Sequence, residues 1–166
     1  MRFIIFIIFD VFFSMLAYSQ LQNRFFDCEL GQTSEQHVLK NLSLKGYNPF
    51  YSHKVLVVND VIWGGGKWPC VAFYFKNDML SEVRFMQDEM TSTRASIHGT
   101  FDSLKSMLKK KYNQFQIEES DKQIMFEDED ILIILTLYEE SSIGVILRYL
   151  YIPFIIENIE KGIEDL

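Results

Sequence analysis

Proline is scarce in this chain, with 3 in 166 residues, and alanine occurs only at positions 17, 72 and 95. Cysteine appears twice, too few to define a disulfide framework. Basic residues are also short, 16 against 23 acidic, giving a net charge of −7 and a pI near 5.0. That deficit excludes a nucleic-acid surface, because neutralising phosphates takes clustered Lys and Arg. The composition as a whole excludes disorder, collagen, coiled coil and a multi-span membrane protein. What is plentiful suits a pleated surface: 15 phenylalanines, 8 tyrosines and 18 isoleucines. Sheet is therefore expected to dominate.

The amino terminus has the grammar of a signal peptide. Met1-Arg2 is positive, Phe3 to Phe9 is apolar without a break, and Val11 to Leu16 continues to Ala17-Tyr18-Ser19, with small residues at −3 and −1 before Gln20. A retained membrane anchor is the alternative, but Asp10 would sit in the middle of a stretch short for a span of about 20 residues. The expectation is cleavage after Ser19 and a periplasmic or secreted protein with no membrane span after cleavage. Export would open a disulfide between Cys28 and Cys70, if their Cα atoms come within about 7 Å.

Two stretches read as helices. The first opens at Thr33 or Ser34, where Thr33-Ser34-Glu35-Gln36 matches a capping box, and ends near Gly46. The second opens around Thr100 and carries Phe101, Leu104, Leu108 and Tyr112 at helical spacing, with Lys109 to Lys111 in its last turn. Strand-like runs follow each: Lys54–Trp63, Pro69–Phe75 and Met79–Met86, then Gln114–Glu118, Lys122–Glu127, Ile131–Tyr138 and Ile143–Tyr151. Gly64-Gly65-Gly66-Lys67, Lys76-Asn77-Asp78, Asp128-Glu129-Asp130 and Glu139-Glu140-Ser141-Ser142 are the turns between them. Pro153 to Lys161 suggests a short closing helix.

The halves resemble each other weakly. Lys45-Gly46-Tyr47-Asn48-Pro49-Phe50 aligns with Lys110-Lys111-Tyr112-Asn113-Gln114-Phe115, and Val83-Arg84-Phe85 with Leu147-Arg148-Tyr149. A tandem duplication follows as an expectation: residues 20–99 and 100–166 as two α+β units, each a helix packed on an antiparallel sheet of three to four strands. Val55, Val57, Phe73, Phe75, Val83 and Phe85 would fill the first core. Leu104, Leu108, Leu135, Leu137, Leu147 and Tyr149 would fill the second.

Phe26-Asp27-Cys28-Glu29-Leu30-Gly31-Gln32-Thr33, Val38, Leu42 and Lys45-Gly46-Tyr47 resemble the opening of small secreted proteins of unknown function from Gram-negative bacteria. Leu104 to Tyr112, Gly144 to Tyr149 and Glu164-Asp165-Leu166 resemble their later elements. Those proteins in turn look like tandem folds of the β-lactamase-inhibitor-protein and outer-membrane-assembly small-lipoprotein type. The resemblance implies an exported, non-enzymatic protein and transfers no catalytic residue. No cysteine stands at the cleavage point, so a lipoprotein role does not carry over.

Chemistry is sparse. His37, His53 and His98 lack ligand spacing, so no metal is assigned, and no phosphate loop, nucleophile elbow or dinucleotide fingerprint points to a cofactor. The acidic runs 118–121 and 127–130 lack calcium-loop spacing and read as solvated hairpin ends. Trp63-Gly64-Gly65-Gly66-Lys67-Trp68 holds the chain's 2 tryptophans around a glycine tip. With Tyr74 they form the candidate binding residues Trp63, Lys67, Trp68 and Tyr74, a pattern used by binding hot spots. The competing reading has both indoles capping the core. The functional expectation is a non-catalytic module that contacts a protein through a sheet face or this hairpin. The alternatives are a glycan or small-ligand binder using exposed tryptophans, and a carboxylate-based hydrolase.

Overall fold

The computed structural model describes residues 20–140 and 142–157. Residues 1–19, read from the sequence as a signal peptide, and 158–161, the end of the closing helix expected from the sequence, lie outside them. Among the described residues are ten strands and two long helices: β1 Arg24–Phe25, β2 Cys28–Glu29, α1 Glu35–Leu44, β3 Phe50–Ser52, β4 Val55–Trp63, β5 Gly66–Lys76, β6 Met79–Asp88, α2 Arg94–Tyr112, β7 Gln116–Glu119, β8 Gln123–Glu127, β9 Ile131–Glu139 and β10 Ile143–Tyr151. Residues 152–157 add a short helical segment.

The expected pair of helix-on-sheet units is not what forms. Strands β3 to β10 make one eight-stranded antiparallel sheet in the order β3-β4-β5-β6-β10-β9-β8-β7. The seam runs from Gly144 opposite Asp88 to Leu150 opposite Glu82. Left apart, β6 and β10 would each be a long apolar edge with unpaired backbone groups, and pairing removes both edges at once. One continuous core follows, in which Val38 and Leu42 of α1 and Ile97, Phe101, Leu108 and Tyr112 of α2 join the inward residues of both sheet halves.

Local sequence explains most elements. At α1 the N-cap is Ser34, whose hydroxyl pairs with His37 Nδ1 at 2.8 Å rather than with the helix backbone. Thr33 instead accepts the Glu29 N–H at 2.8 Å, so the expected capping box does not form. The helix stops at Lys45, and Gly46 follows at φ +82°, the left-handed C′ position that glycine occupies without strain. Helix α2 starts at Arg94, well before Thr100, because Thr93 accepts the Ser96 N–H at 3.3 Å. Ile97 belongs to the same buried stripe as Phe101 and Leu108.

Tight hairpins set the registers. Gly64-Gly65, Asn77-Asp78, His53-Lys54 and Phe26-Asp27 all have both residues at positive φ, the conformation whose twist matches the flanking strands. In β4 the core residues are Leu56 and Val58, while Val57 faces the other side beside Ala72, correcting the expected inward Val55 and Val57. Five consecutive residues from Val55 contain no polar marker except Asn59, so alternation alone leaves the face undetermined. A further shift, of side-chain face and not of register, occurs at Asp60, φ +56°, across from Pro69. Beyond it Val61 and its partner Trp68, rather than residue 60, point into the core.

Candidate functional site

The four candidate binding residues do not converge. The shift at Asp60 and Pro69 turns both indoles inward: Trp68 is 4% exposed, and half-buried Trp63 stacks on Phe85 at 4.3 Å between ring centroids. Trp68 Nε1 donates to the Trp63 carbonyl at 3.3 Å. The indoles are core caps and not an exposed coplanar pair, since burying such large rings outweighs leaving them in water. Lys67 stays outside and pairs with Asp60 at 2.9 Å. Tyr74 lies on the opposite face of the sheet. A groove of about 480 Å³ remains between the glycine tip and α2, lined by Trp63, Lys67, Gln87, Thr100 and Ser103.

Cys28 and Cys70 are free thiols. Cys28 is buried in the core, near Asn41 Nδ2 at 3.4 Å. Cys70 pairs with Met86 on the other side of the sheet, so the sheet itself separates the two sulfurs and the possible disulfide has no geometry to form. Burial raises both thiols above their ordinary pKa, which makes them poor nucleophiles at neutral pH.

Three carboxylates of the acidic second half, Glu119, Asp128 and Glu139, hold structural partners. Glu119 receives Lys109 at 2.7 Å and Lys105 at 3.1 Å, and these partners hold its pKa down to about 2. Asp128 accepts the N–H groups of Leu21, Asp130 and Ile131 within 3.0 Å, pinning the entering chain. His98 stands 3.4 Å from Glu139. Among the described residues no three His, Cys, Asp or Glu side chains gather as a metal site.

A different cluster stands out on the sheet face away from α1 and α2. Register places Val57, Ala72, Arg84, Arg148, Ile134 and Met125 in one row across six strands. Cys70, Met86, Ile146 and Thr136 flank it on one side, and Tyr74, Glu82, Leu150 and Leu132 on the other. Val57, Ala72 and Leu150 are buried yet outside the core cluster, and Tyr138 lies across Gly144 on this same face.

Arg84 and Arg148 are direct cross-strand partners, an arrangement that repels unless a counter-charge intervenes. Glu82 supplies it. Arg148 donates through Nε at 2.7 Å and Nη2 at 3.2 Å, and Arg84 through Nε at 2.9 Å. The Arg84 guanidinium also lies 4.5 Å from the Tyr74 ring centroid. Burial acts to raise the Glu82 carboxyl, but the hydrogen bonds from Arg148 and then Arg84 outweigh it and its pKa falls below 4.5. A depressed folded-state pKa stabilises above the unfolded value, so this contribution is present above about pH 4.5 and is lost as pH falls through the folded value. Glu82→Gln should therefore flatten the acid limb of a stability–pH profile below about pH 4.5. An unchanged limb would remove Glu82 from the acid response.

The sequence carried one signal for this cluster: the aligned Val83-Arg84-Phe85 and Leu147-Arg148-Tyr149 place the two arginines at matching points of the two halves. It gave no hint that they would face each other, because that depends on the seam.

No family model, curated protein or solved structure matches the chain. No helix among the described residues is long and apolar enough to cross a membrane.

Proposed function

We propose that this chain is an exported, non-catalytic module that binds another protein through the face of its sheet opposite α1 and α2. One observation carries the reading: the long helices cover a single face, and the other presents apolar side chains around an Arg84–Glu82–Arg148 cluster with Tyr74 beside it. Arg and Tyr set among apolar neighbours is the composition of an interface centre. The export part rests on the leader-like residues 1–19. Catalysis finds little support, since Glu119 is tied to Lys105 and Lys109 and Asp128 to turn N–H groups.

Affinity capture from the native envelope or culture fluid tests this, using wild type, a Met86→Asp/Ile146→Asp face variant and a Trp63→Ala hairpin variant. The expected result is a partner retained by the hairpin variant and lost by the folded face variant. Loss with the hairpin variant alone would move the site to the groove beside α2, where a glycan or small ligand becomes the better reading.

A further inference from the structure

The guanidinium pair on the open face has unused donors. Arg84 spends only Nε on Glu82, and Arg148 spends Nε and Nη2. The remaining terminal groups, two on Arg84 and one on Arg148, meet no acceptor among the described residues. Glu82 lies deeper, its side chain 11% exposed against 26% for Arg84 and 32% for Arg148, so the free donors are the outer part of the cluster. One carboxylate shared by two guanidiniums leaves a single positive charge, in a chain whose net charge is −7. Both arginines are already fixed by Glu82, and Arg84 by the Tyr74 ring as well, so little side-chain freedom remains to be lost on binding. Alongside, a cleft of about 590 Å³ runs between Tyr74, Arg148 and Leu150 and the folded-back Phe154 and Ile155. Lys76 anchors its far wall, donating to the Phe154 carbonyl at 2.8 Å.

We infer that the open face recognises a carboxylate: the partner segment presents an Asp or Glu side chain to Arg84 and Arg148, with a neighbouring apolar side chain in the cleft between Leu150 and Phe154. The inference rests on the open face being the contact surface. A planar carboxylate matches guanidinium donors and the single excess charge. A phosphate, carrying close to two charges, would leave one uncompensated beside Glu82.

The test selects random twelve-residue peptides displayed on phage against the purified protein, then measures the enriched peptides on variants. Enriched sequences should carry Asp or Glu next to Leu, Ile or Phe. Binding should fall about tenfold when the peptide acid becomes its amide, and by a similar factor on Arg84→Gln or Arg148→Gln. Glu82→Gln should tighten binding, because the cluster's excess charge rises from one to two and this added attraction for the peptide acid outweighs the ordering that Glu82 supplied. A purely structural role for the three residues predicts no such gain. If a Gln variant fails to fold, Arg84→Lys and Arg148→Lys keep the charge and lose the fork. Acidic peptides that bind the arginine variants as well as wild type overturn the carboxylate inference. Peptides without an acid that are lost on Ile134→Asp overturn it too, but leave the face as the contact surface. A pool indifferent to Ile134→Asp, or one that never enriches, counts against both.

Discussion

Truncating Phe85 to alanine should destabilise the protein by about 3–5 kcal/mol, the range for emptying a fully buried aromatic site. Phe85 is 0% exposed and lies at the meeting point of the whole sheet. Its ring centroid is 4.3 Å from Trp63, 5.2 Å from Trp68, 6.1 Å from Phe25 and 6.2 Å from Tyr149. These neighbours come from the β4–β5 hairpin, the amino-terminal β1 and the seam strand β10, and no single one can move in to fill the void. A urea titration followed by tryptophan fluorescence measures the loss, since Trp63 reports directly on the stacked ring. The control is Phe50→Ala at the sheet edge, where the side chain is 44% exposed and about 1 kcal/mol or less is expected. Equal losses at the two positions would mean that the two sheet halves do not share one core.

The same ring shows why the sequence revealed the pieces and not their assembly. Phe85 was legible as an inward residue, because β6 alternates from Val83 through Phe85 to Gln87, although a bulge at Ser81 breaks the alternation from Leu80. Seven strand positions and both helices were visible for local reasons: Gly64-Gly65 and Asn77-Asp78 mark chain reversal in their own chemistry, Gly46 ends α1, and the spacing of Phe101, Leu104 and Leu108 marks α2 even though the expected capping box and start were not those that form. The hairpins at Phe26-Asp27 and His53-Lys54 adopt the same left-handed pair with residue types that rarely do so, and β1, β2 and β3 were missed with them. The β6–β10 seam joins residues more than 50 positions apart, and periodicity carries no information about such a pairing. It turned two expected units into one sheet and brought Arg84 opposite Arg148. The tryptophans failed as exposed binding residues for a third reason. A single break in the side-chain alternation at Asp60 and Pro69, with the β4–β5 register unbroken, reversed which face they occupy, and nothing local to Trp63-Gly-Gly-Gly-Lys-Trp68 encodes it.

Gly31→Ala should cost about 2–4 kcal/mol, for two separable reasons. Gly31 sits at φ +76°, a backbone conformation that costs an L-residue about 1–2 kcal/mol. A Cβ there would also lie 2.5 Å from Tyr151 Cζ and 2.6 Å from Cε1, so the ring must move. The backbone has little room to relax, because the Gly31 N–H donates to the Leu80 carbonyl at 2.8 Å and ties the segment to β6. Pairing the substitution with Tyr151→Ala removes the clash and leaves the backbone strain. The double-mutant cycle should therefore return a coupling of about 1 kcal/mol or more. Strict additivity would show that the ring is not what excludes the methyl group. Tyr151 also packs edge-on against Phe154 at 5.1 Å, and Phe154 walls the cleft beside Arg148. Displacing Tyr151 should thus disturb that wall and weaken acidic-peptide binding in Gly31→Ala, although Gly31 touches none of the arginines. Undiminished peptide affinity in a folded Gly31→Ala protein would show that the cleft keeps its shape when the Tyr151 ring is displaced.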